Sequence, residues 1–129
     1  MILRYTILYV EDVAATLGFY EQAFGLQRAF LHESGDYGEL ATGTTKLAFS
    51  ARSLMRQLGK TPGTADPAAP VFELAFEVPD VPAAYDRAVG AGATPVHPPH
   101  DQPWGQTISY VSDPNGFLVE ICSVVQPPA

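Results

Sequence analysis

The sequence predicts an α+β protein made of two modules, each with the element order βαβββ. A short segment occurs twice, because VEDVAA at residues 10–15 returns as VPDVPA at residues 78–83, about 68 residues later. Each copy follows an apolar run and leads into a helical pattern that ends in glycine. A repeat at this spacing indicates two similar structural units. Two such modules that pack together would leave a cavity between them, where function is expected.

The first module begins with a strand and a capped helix. Residues 3–10 are rich in β-branched and aromatic residues, which is typical of a strand. Asp12 is expected to be the N-cap of a helix whose apolar residues recur at helical spacing, and Gly25 supplies the left-handed position that ends it. The three remaining strands of the module are expected at residues 26–33, 37–42 and 46–51.

Residues 52–70 interrupt this pattern and are expected to link the modules. From residue 59 to 70 the segment is rich in Pro, Gly, Ala and Thr, which indicates a surface connection. A plain linker and a mobile lid over a pocket are both compatible with this composition. The chain is thus expected to form a single domain over residues 1–129, with modules at residues 1–51 and 71–126.

The second module repeats the order of the first. Asp80 is expected to cap a helix that Gly92 ends, and Asp113-Pro-Asn-Gly116 has the composition of a tight turn. Residues 98–103 are predicted to be a loop, because their prolines cannot donate hydrogen bonds to a sheet. The strands of this module are expected at residues 71–78, 94–97, 106–111 and 117–124.

Composition argues against several classes of function. No stretch of the 129 residues approaches the roughly 20 apolar residues of a membrane span, and the N-terminus has no signal-peptide pattern. The only cysteine, Cys122, excludes an internal disulfide and fits a reducing cytoplasm. The net charge of −7 argues against nucleic acid as a partner. It would favour a neutral or cationic ligand, although it could serve solubility alone.

Alternation along the strands predicts that each sheet has one apolar face and one mixed face, because successive side chains of a strand point to opposite sides. Turned inward, the mixed face would line an aromatic and partly acidic pocket of ligand size. A face simply covered by solvent is the alternative interpretation. The mixed face is predicted to carry Tyr5, Tyr9, Lys46, Glu73, Glu77 and Glu120.

The repeated module, the helix openings Val-x-Asp-Val and the ending Asp113-Pro-Asn-Gly116-x-x-x-Glu120 together resemble the vicinal oxygen chelate superfamily. Members of this family include glyoxalase I, extradiol dioxygenases, fosfomycin-resistance enzymes and bleomycin resistance proteins. The resemblance covers nearly the whole chain. It implies that the two modules form a half-open mixed β-barrel cleft, commonly in a homodimer.

The resemblance also implies where a metal ion would bind. Metal-dependent members hold a divalent ion on the first and fourth strands of each module, usually with His or Glu. These positions correspond to Tyr5, Ala48, Glu73 and Glu120, with Glu39 near Ala48 on a neighbouring strand. None of the three histidines falls on a ligand position, and two glutamates would hold a divalent ion only weakly. We therefore expect no metal cofactor and assign any ion that does bind to Glu73 and Glu120.

Glu73 and Glu120 are open to several interpretations. If they meet, their like charges raise the pKa of one of them, and that group could exchange protons with a substrate. They could equally contact a ligand, or Glu120 could serve a structural hydrogen bond.

Four further residues are open to a structural or a functional interpretation. His97 and His100 are expected to be ordinary loop histidines rather than metal ligands. Trp104 would either stack on a ligand or pack at an interface. Cys122 is expected to be a small packing residue rather than a nucleophile.

The sequence as a whole predicts a metal-free, cytoplasmic small-molecule-binding protein of the bleomycin-resistance type, with no nucleic-acid or membrane partner. It would sequester an amphipathic or cationic ligand in an aromatic and acidic cleft. The alternatives are a divalent-metal-dependent lyase, isomerase or dioxygenase of the same superfamily, and a scaffold with a vestigial cavity. The predicted ligand-binding residues are Tyr5, Tyr9, Lys46, Glu73, Trp104 and Glu120.

Overall fold

The chain folds into two units, each with its own four-stranded mixed sheet and at least one helix, so the predicted α+β class is confirmed. A computed structural model describes residues 1–127. The first unit comprises residues 1–64 and the second begins at Ala65.

The first unit has the predicted order βαβββ, followed by a short helix. Its sheet has the strand order β1-β4-β3-β2, in which β1 and β4 are parallel and the other pairs antiparallel. The elements are β1 (Tyr5–Val10), α1 (Val13–Phe24), β2 (Arg28–Leu31), β3 (Tyr37–Leu40), β4 (Lys46–Ala51) and α2 (Arg52–Gln57).

Both ends of α1 form as the sequence predicts. The Asp12 carboxylate accepts a hydrogen bond from the backbone N–H of Ala15 at 3.0 Å, and Gly25 adopts the left-handed conformation with φ 70°. One face of the helix and one face of the sheet are buried together as the core of this unit. The largest fully buried side chains of this core are Tyr20, Phe49, Leu8, Leu17, Leu40, Val10 and Val13.

The second unit repeats the topology of the first, with the strand order β5-β8-β7-β6. The Asp80 carboxylate caps its helix by accepting a hydrogen bond from the Ala83 N–H at 3.1 Å. The helix ends at Gly90, slightly before the predicted stop at Gly92. The elements are β5 (Glu73–Glu77), α3 (Val81–Gly90), β6 (Thr94–Gln102), β7 (Gln106–Ser112) and β8 (Leu118–Cys122).

The loop predicted at residues 98–103 is wrong, because β6 continues through its prolines to Gln102. β6 is the edge strand of its sheet, so one side of it makes no ladder hydrogen bonds that proline would remove. The pairing with β7 also shifts register between Pro95 and His97 and again between His97 and His100. These irregularities place the prolines where no N–H donor is required.

The turn at residues 113–116 depends on glycine, and its substitution gives a testable prediction. Gly116 has φ 89°, and an added Cβ would lie 2.5 Å from the Ala65 carbonyl oxygen. We expect Gly116→Ala to lower the free energy of unfolding by about 2 kcal/mol or more, because the left-handed conformation costs about 1–2 kcal/mol before the clash is counted. Gly92→Ala is the matched control, because Gly92 has φ 109° but open space around its Cβ position. Urea unfolding measures the free energy of unfolding of both variants. Equal losses would contradict the predicted steric clash with the Ala65 carbonyl oxygen.

No helix within residues 1–127 is long and apolar enough to cross a membrane.

Candidate functional site

Three polar residues meet on one face of the second sheet. Glu120 on β8 lies opposite both Ala75 on β5 and Tyr110 on β7. Glu120 shares a side-chain hydrogen bond with Glu73, and Glu73 also accepts one from the Tyr110 hydroxyl. We call Glu73, Tyr110 and Glu120 the carboxylate cluster. The sequence left open whether Glu73 and Glu120 meet, and the structure brings the two side chains together.

The environment of the cluster favours a proton on Glu120. Burial, followed by the hydrogen bond and the negative charge of Glu73, raises the pKa of Glu120 from 4.5 to about 7. Burial and the two carboxylates also raise the pKa of Tyr110, which therefore stays a hydrogen-bond donor. Near neutral pH Glu120 is therefore only partly ionised. It can accept hydrogen bonds, attract a cation or hold a proton.

The raised pKa of Glu120 predicts how stability depends on pH. Glu120 ionises near pH 4.5 in the unfolded chain but only near pH 7 in the folded protein. The free energy of unfolding therefore falls as pH rises from about 4.5 to about 7, because the folded state resists the ionisation of Glu120. Glu120→Gln removes the penalty and is expected to stabilise the protein by about 1 kcal/mol at pH 8, after allowance for solvent screening. At pH 4 the variant and the wild type should differ little. Urea unfolding at both pH values tests this, and an equal difference at both would contradict it.

The corresponding face of the first sheet carries Tyr5, Tyr9 and Lys46. Tyr5 lies opposite Lys46 on the neighbouring strand, and its side chain is 47% exposed. The Tyr9 hydroxyl accepts a hydrogen bond from Lys60 Nζ at 3.0 Å. These residues belong to the polar face as predicted, and their role in ligand binding stays a prediction.

A tyrosine–glutamate pair on this first face was not predicted as a site. The Tyr37 hydroxyl donates to Glu39 Oε2 at 2.8 Å, and burial together with this bond raises the pKa of Tyr37 above its usual range. Glu39 lies opposite Ala48 just as Tyr110 lies opposite Glu120, so the two residues occupy equivalent places in the two modules. Strand alternation applied to the third strand of each module would have placed both on the polar face.

Trp104 and Cys122 differ in exposure. Trp104 lies between β6 and β7, is 51% exposed, and donates its indole N–H to Gln106 Oε1 at 2.7 Å. Cys122 is buried, and burial together with the charges of Glu120 and Glu77 raises the pKa of its thiol. A thiol of this kind stays protonated, which favours a packing role.

A cavity of about 390 Å³ lies beyond the carboxyl end of β5. Its lining combines one carboxylate with apolar side chains, and neither Glu73 nor Glu120 reaches it. The lining residues are Glu77, Val78, Pro79, Ser123, Val124 and Gln126.

The donor set of the carboxylate cluster does not fit a catalytic transition metal. Within residues 1–127, no group of three or more His, Cys, Asp or Glu side chains is placed to hold an ion. The cluster supplies only two carboxylates, and the equivalent positions in the first module are Tyr5 and Ala48. Borderline metals prefer three or four N, O or S ligands, with imidazole prominent among them.

Comparison with known proteins gives a family match over most of the chain. The family model described as the Glyoxalase/Bleomycin resistance protein/Dioxygenase superfamily matches residues 2–121. None of the curated proteins matches the chain.

Solved structures show the same fold. A glyoxalase-related enzyme from Fulvimarina pelagi is 24% identical with a TM-score of 0.81, over 95% of this chain and 87% of that one. A glyoxalase/bleomycin resistance protein/dioxygenase family enzyme from Burkholderia phytofirmans is 28% identical with a TM-score of 0.75, over 95% and 98% of the two chains. A glyoxalase/bleomycin resistance protein/dioxygenase from Nocardioides is 21% identical with a TM-score of 0.77, over 100% and 88%.

Proposed function

The chain belongs to the glyoxalase/bleomycin resistance protein/dioxygenase superfamily, and from this premise we propose that it binds a small amphipathic organic cation without a metal cofactor. The carboxylate cluster carries the proposal. It places two carboxylates and a phenol on one sheet face, where a cation can take the place of the hydrogen bond between the carboxylates.

The distribution of charge supports a cationic ligand. Eight of the fourteen Asp and Glu residues, but only one of the seven Lys and Arg residues, lie from residue 65 onward. The first unit is therefore formally neutral, and the whole net charge of −7 falls on the second. A field of one sign attracts and retains small ions of the opposite sign. The single basic residue of this unit, Arg87, lies on α3 rather than on the sheet.

The surroundings of the cluster suit the apolar part of such a ligand. By strand register, Ala75 and Leu118 share the face of Glu120 and are at least partly exposed, while Ile108 and Cys122 on the same face are buried beneath the surface. A ligand with an aromatic or aliphatic body could cover this surface while its charge meets the carboxylates, as small-molecule sites combine apolar walls with few polar groups.

A pair of charged dyes tests the proposal. Rhodamine 6G is an aromatic cation and fluorescein an aromatic anion with the same xanthene core, and fluorescence polarisation at low and high salt separates charge-dependent from hydrophobic binding. We expect saturable binding of rhodamine 6G and much weaker binding of fluorescein. Equal affinity for both dyes, or no binding of either, would contradict a cation-binding site. Stoichiometric binding of Mn²⁺ or Mg²⁺ at the cluster, with turnover of a substrate, would instead favour the metal-dependent enzyme.

We also propose a homodimer. Several large apolar side chains are half-exposed or more in the single chain, among them Ile2, Leu3, Val71 and Phe72. Stable interfaces between subunits bury apolar side chains of this kind. Light scattering should give a mass twice the 13.8 kDa of the chain. A mass that stays at that of one chain at high protein concentration would contradict the dimer.

A further inference from the structure

His97 and His100 lie on the same face of β6, although residues three apart on a regular strand point to opposite faces. His97 lies opposite Tyr110 and His100 opposite Ile108, so three steps along β6 match two steps along β7. The register shift thus adds one residue and returns His100 to the side of His97. The two imidazole ring centroids are 4.0 Å apart, with 41° between the ring planes.

One carbonyl group orients both rings. The Nδ1 atoms of His97 and His100 lie 3.1 Å and 2.9 Å from the carbonyl oxygen of Pro98. Because a carbonyl oxygen only accepts hydrogen bonds, each Nδ1 carries the proton that it donates. Each neutral ring therefore keeps its lone pair on Nε2. Histidines that bind metals are commonly held in this way, with the second ring nitrogen donating to a backbone carbonyl or a carboxylate.

The segment is preorganised and accessible. Pro98 and Pro99 restrict the backbone between the two histidines, which reduces the entropy lost when both rings bind one ion. His97 is exposed and His100 half-buried, so water can complete a coordination shell. The unit that carries them holds the whole net negative charge of the chain, which favours a cation at its surface.

We propose that His97 and His100 form a two-imidazole site for a divalent transition-metal ion, with water in the remaining positions. Imidazole suits Cu²⁺, Ni²⁺ and Zn²⁺, and the usual order of affinity places Cu²⁺ first. Mg²⁺ and Ca²⁺ prefer oxygen ligands and are not expected to bind here. His97 lies beside Tyr110 on the same sheet face, but the site uses no residue of the carboxylate cluster and does not depend on the proposed binding of an organic cation.

The test is titration of the full chain with CuCl₂, followed by calorimetry and by electron paramagnetic resonance. We expect one Cu²⁺ per chain, with spectral splitting from two imidazole nitrogens. His97→Gln and His100→Gln should each weaken binding by about tenfold or more. His32→Gln is the matched control and should leave the affinity unchanged, because the Nδ1 of His32 bonds only the nearby Ser34.

A second pair of variants separates this site from the cluster. The variant with both Glu73→Gln and Glu120→Gln should bind Cu²⁺ as the wild type does, while the variant with both histidines replaced should not. The proposal is overturned if the double histidine variant keeps wild-type Cu²⁺ affinity, or if only the glutamate variant loses it. Thermal unfolding of each variant checks that these surface changes leave the fold intact.

Discussion

Replacing Phe49 with alanine is expected to lower the free energy of unfolding by about 3–5 kcal/mol, the usual cost of removing a buried aromatic ring. Phe49 is fully buried on β4, with its neighbours Leu8 and Gly38 on the flanking strands. Its ring centroid lies 5.1 Å from that of Tyr20 on α1, so the side chain joins the sheet to the helix. A loss of this size is a large part of the about 5–15 kcal/mol that stabilises an ordinary domain.

Phe30 provides the matched control for this substitution. It is the same residue type in the same sheet, but it lies on the edge strand β2 and is 46% exposed. Phe30→Ala should therefore cost less than about 1 kcal/mol. Urea unfolding measures both variants, and similar losses would show that the core of the first unit does not lie on the helix side of the sheet.

Removal of both carboxylates of the cluster is expected to have the largest effect on ligand binding. The variant with Glu73→Gln and Glu120→Gln should raise the Kd for rhodamine 6G by about 10–100-fold, because replacing a charged hydrogen-bond acceptor with a neutral one costs on the order of 1 kcal/mol at each position. Glutamine keeps the shape of the side chain and one acceptor oxygen but replaces the other oxygen with an NH₂ donor, so the change reports mainly on charge.

A second double variant controls for the loss of net charge. Glu33→Gln together with Asp86→Asn removes two charges from exposed positions outside the cluster. This variant should keep the wild-type affinity within about twofold, since exposed charges that lie far apart are screened by salt. If both double variants weaken binding equally, the loss of affinity is due to the change in the net charge of the protein and not to the carboxylate cluster.

The fold was largely predictable because its signals are local. Asp12 and Asp80 mark helix starts through the hydrogen bonds that their carboxylates accept, and a strand shows its faces by simple alternation. The error at residues 98–103 arose from a rule that holds for central strands. Whether β6 lies at an edge depends on strand order, which the sequence of that segment does not contain.

The site was predictable only in part. Alternation and the family resemblance both indicated Glu73 and Glu120, and their contact follows from the parallel pairing of β5 with β8. The contribution of Tyr110 depends on the antiparallel register of β7 with β8, which sequence spacing does not fix. The pairing of His97 with His100 depends on an irregular register in the same way.

The most direct test of the central claim is nuclear magnetic resonance of ¹⁵N-labelled, metal-free protein during a titration with rhodamine 6G. The proposed function predicts that the largest amide shifts occur on β5, β7 and β8 around Glu73, Tyr110 and Glu120, and that stoichiometric Mg²⁺, which the histidine pair is not expected to bind, shifts none of these resonances. Shifts confined to other strands would contradict the site. Selective shifts at Glu73 and Glu120 caused by one equivalent of Mg²⁺ would contradict the metal-free function.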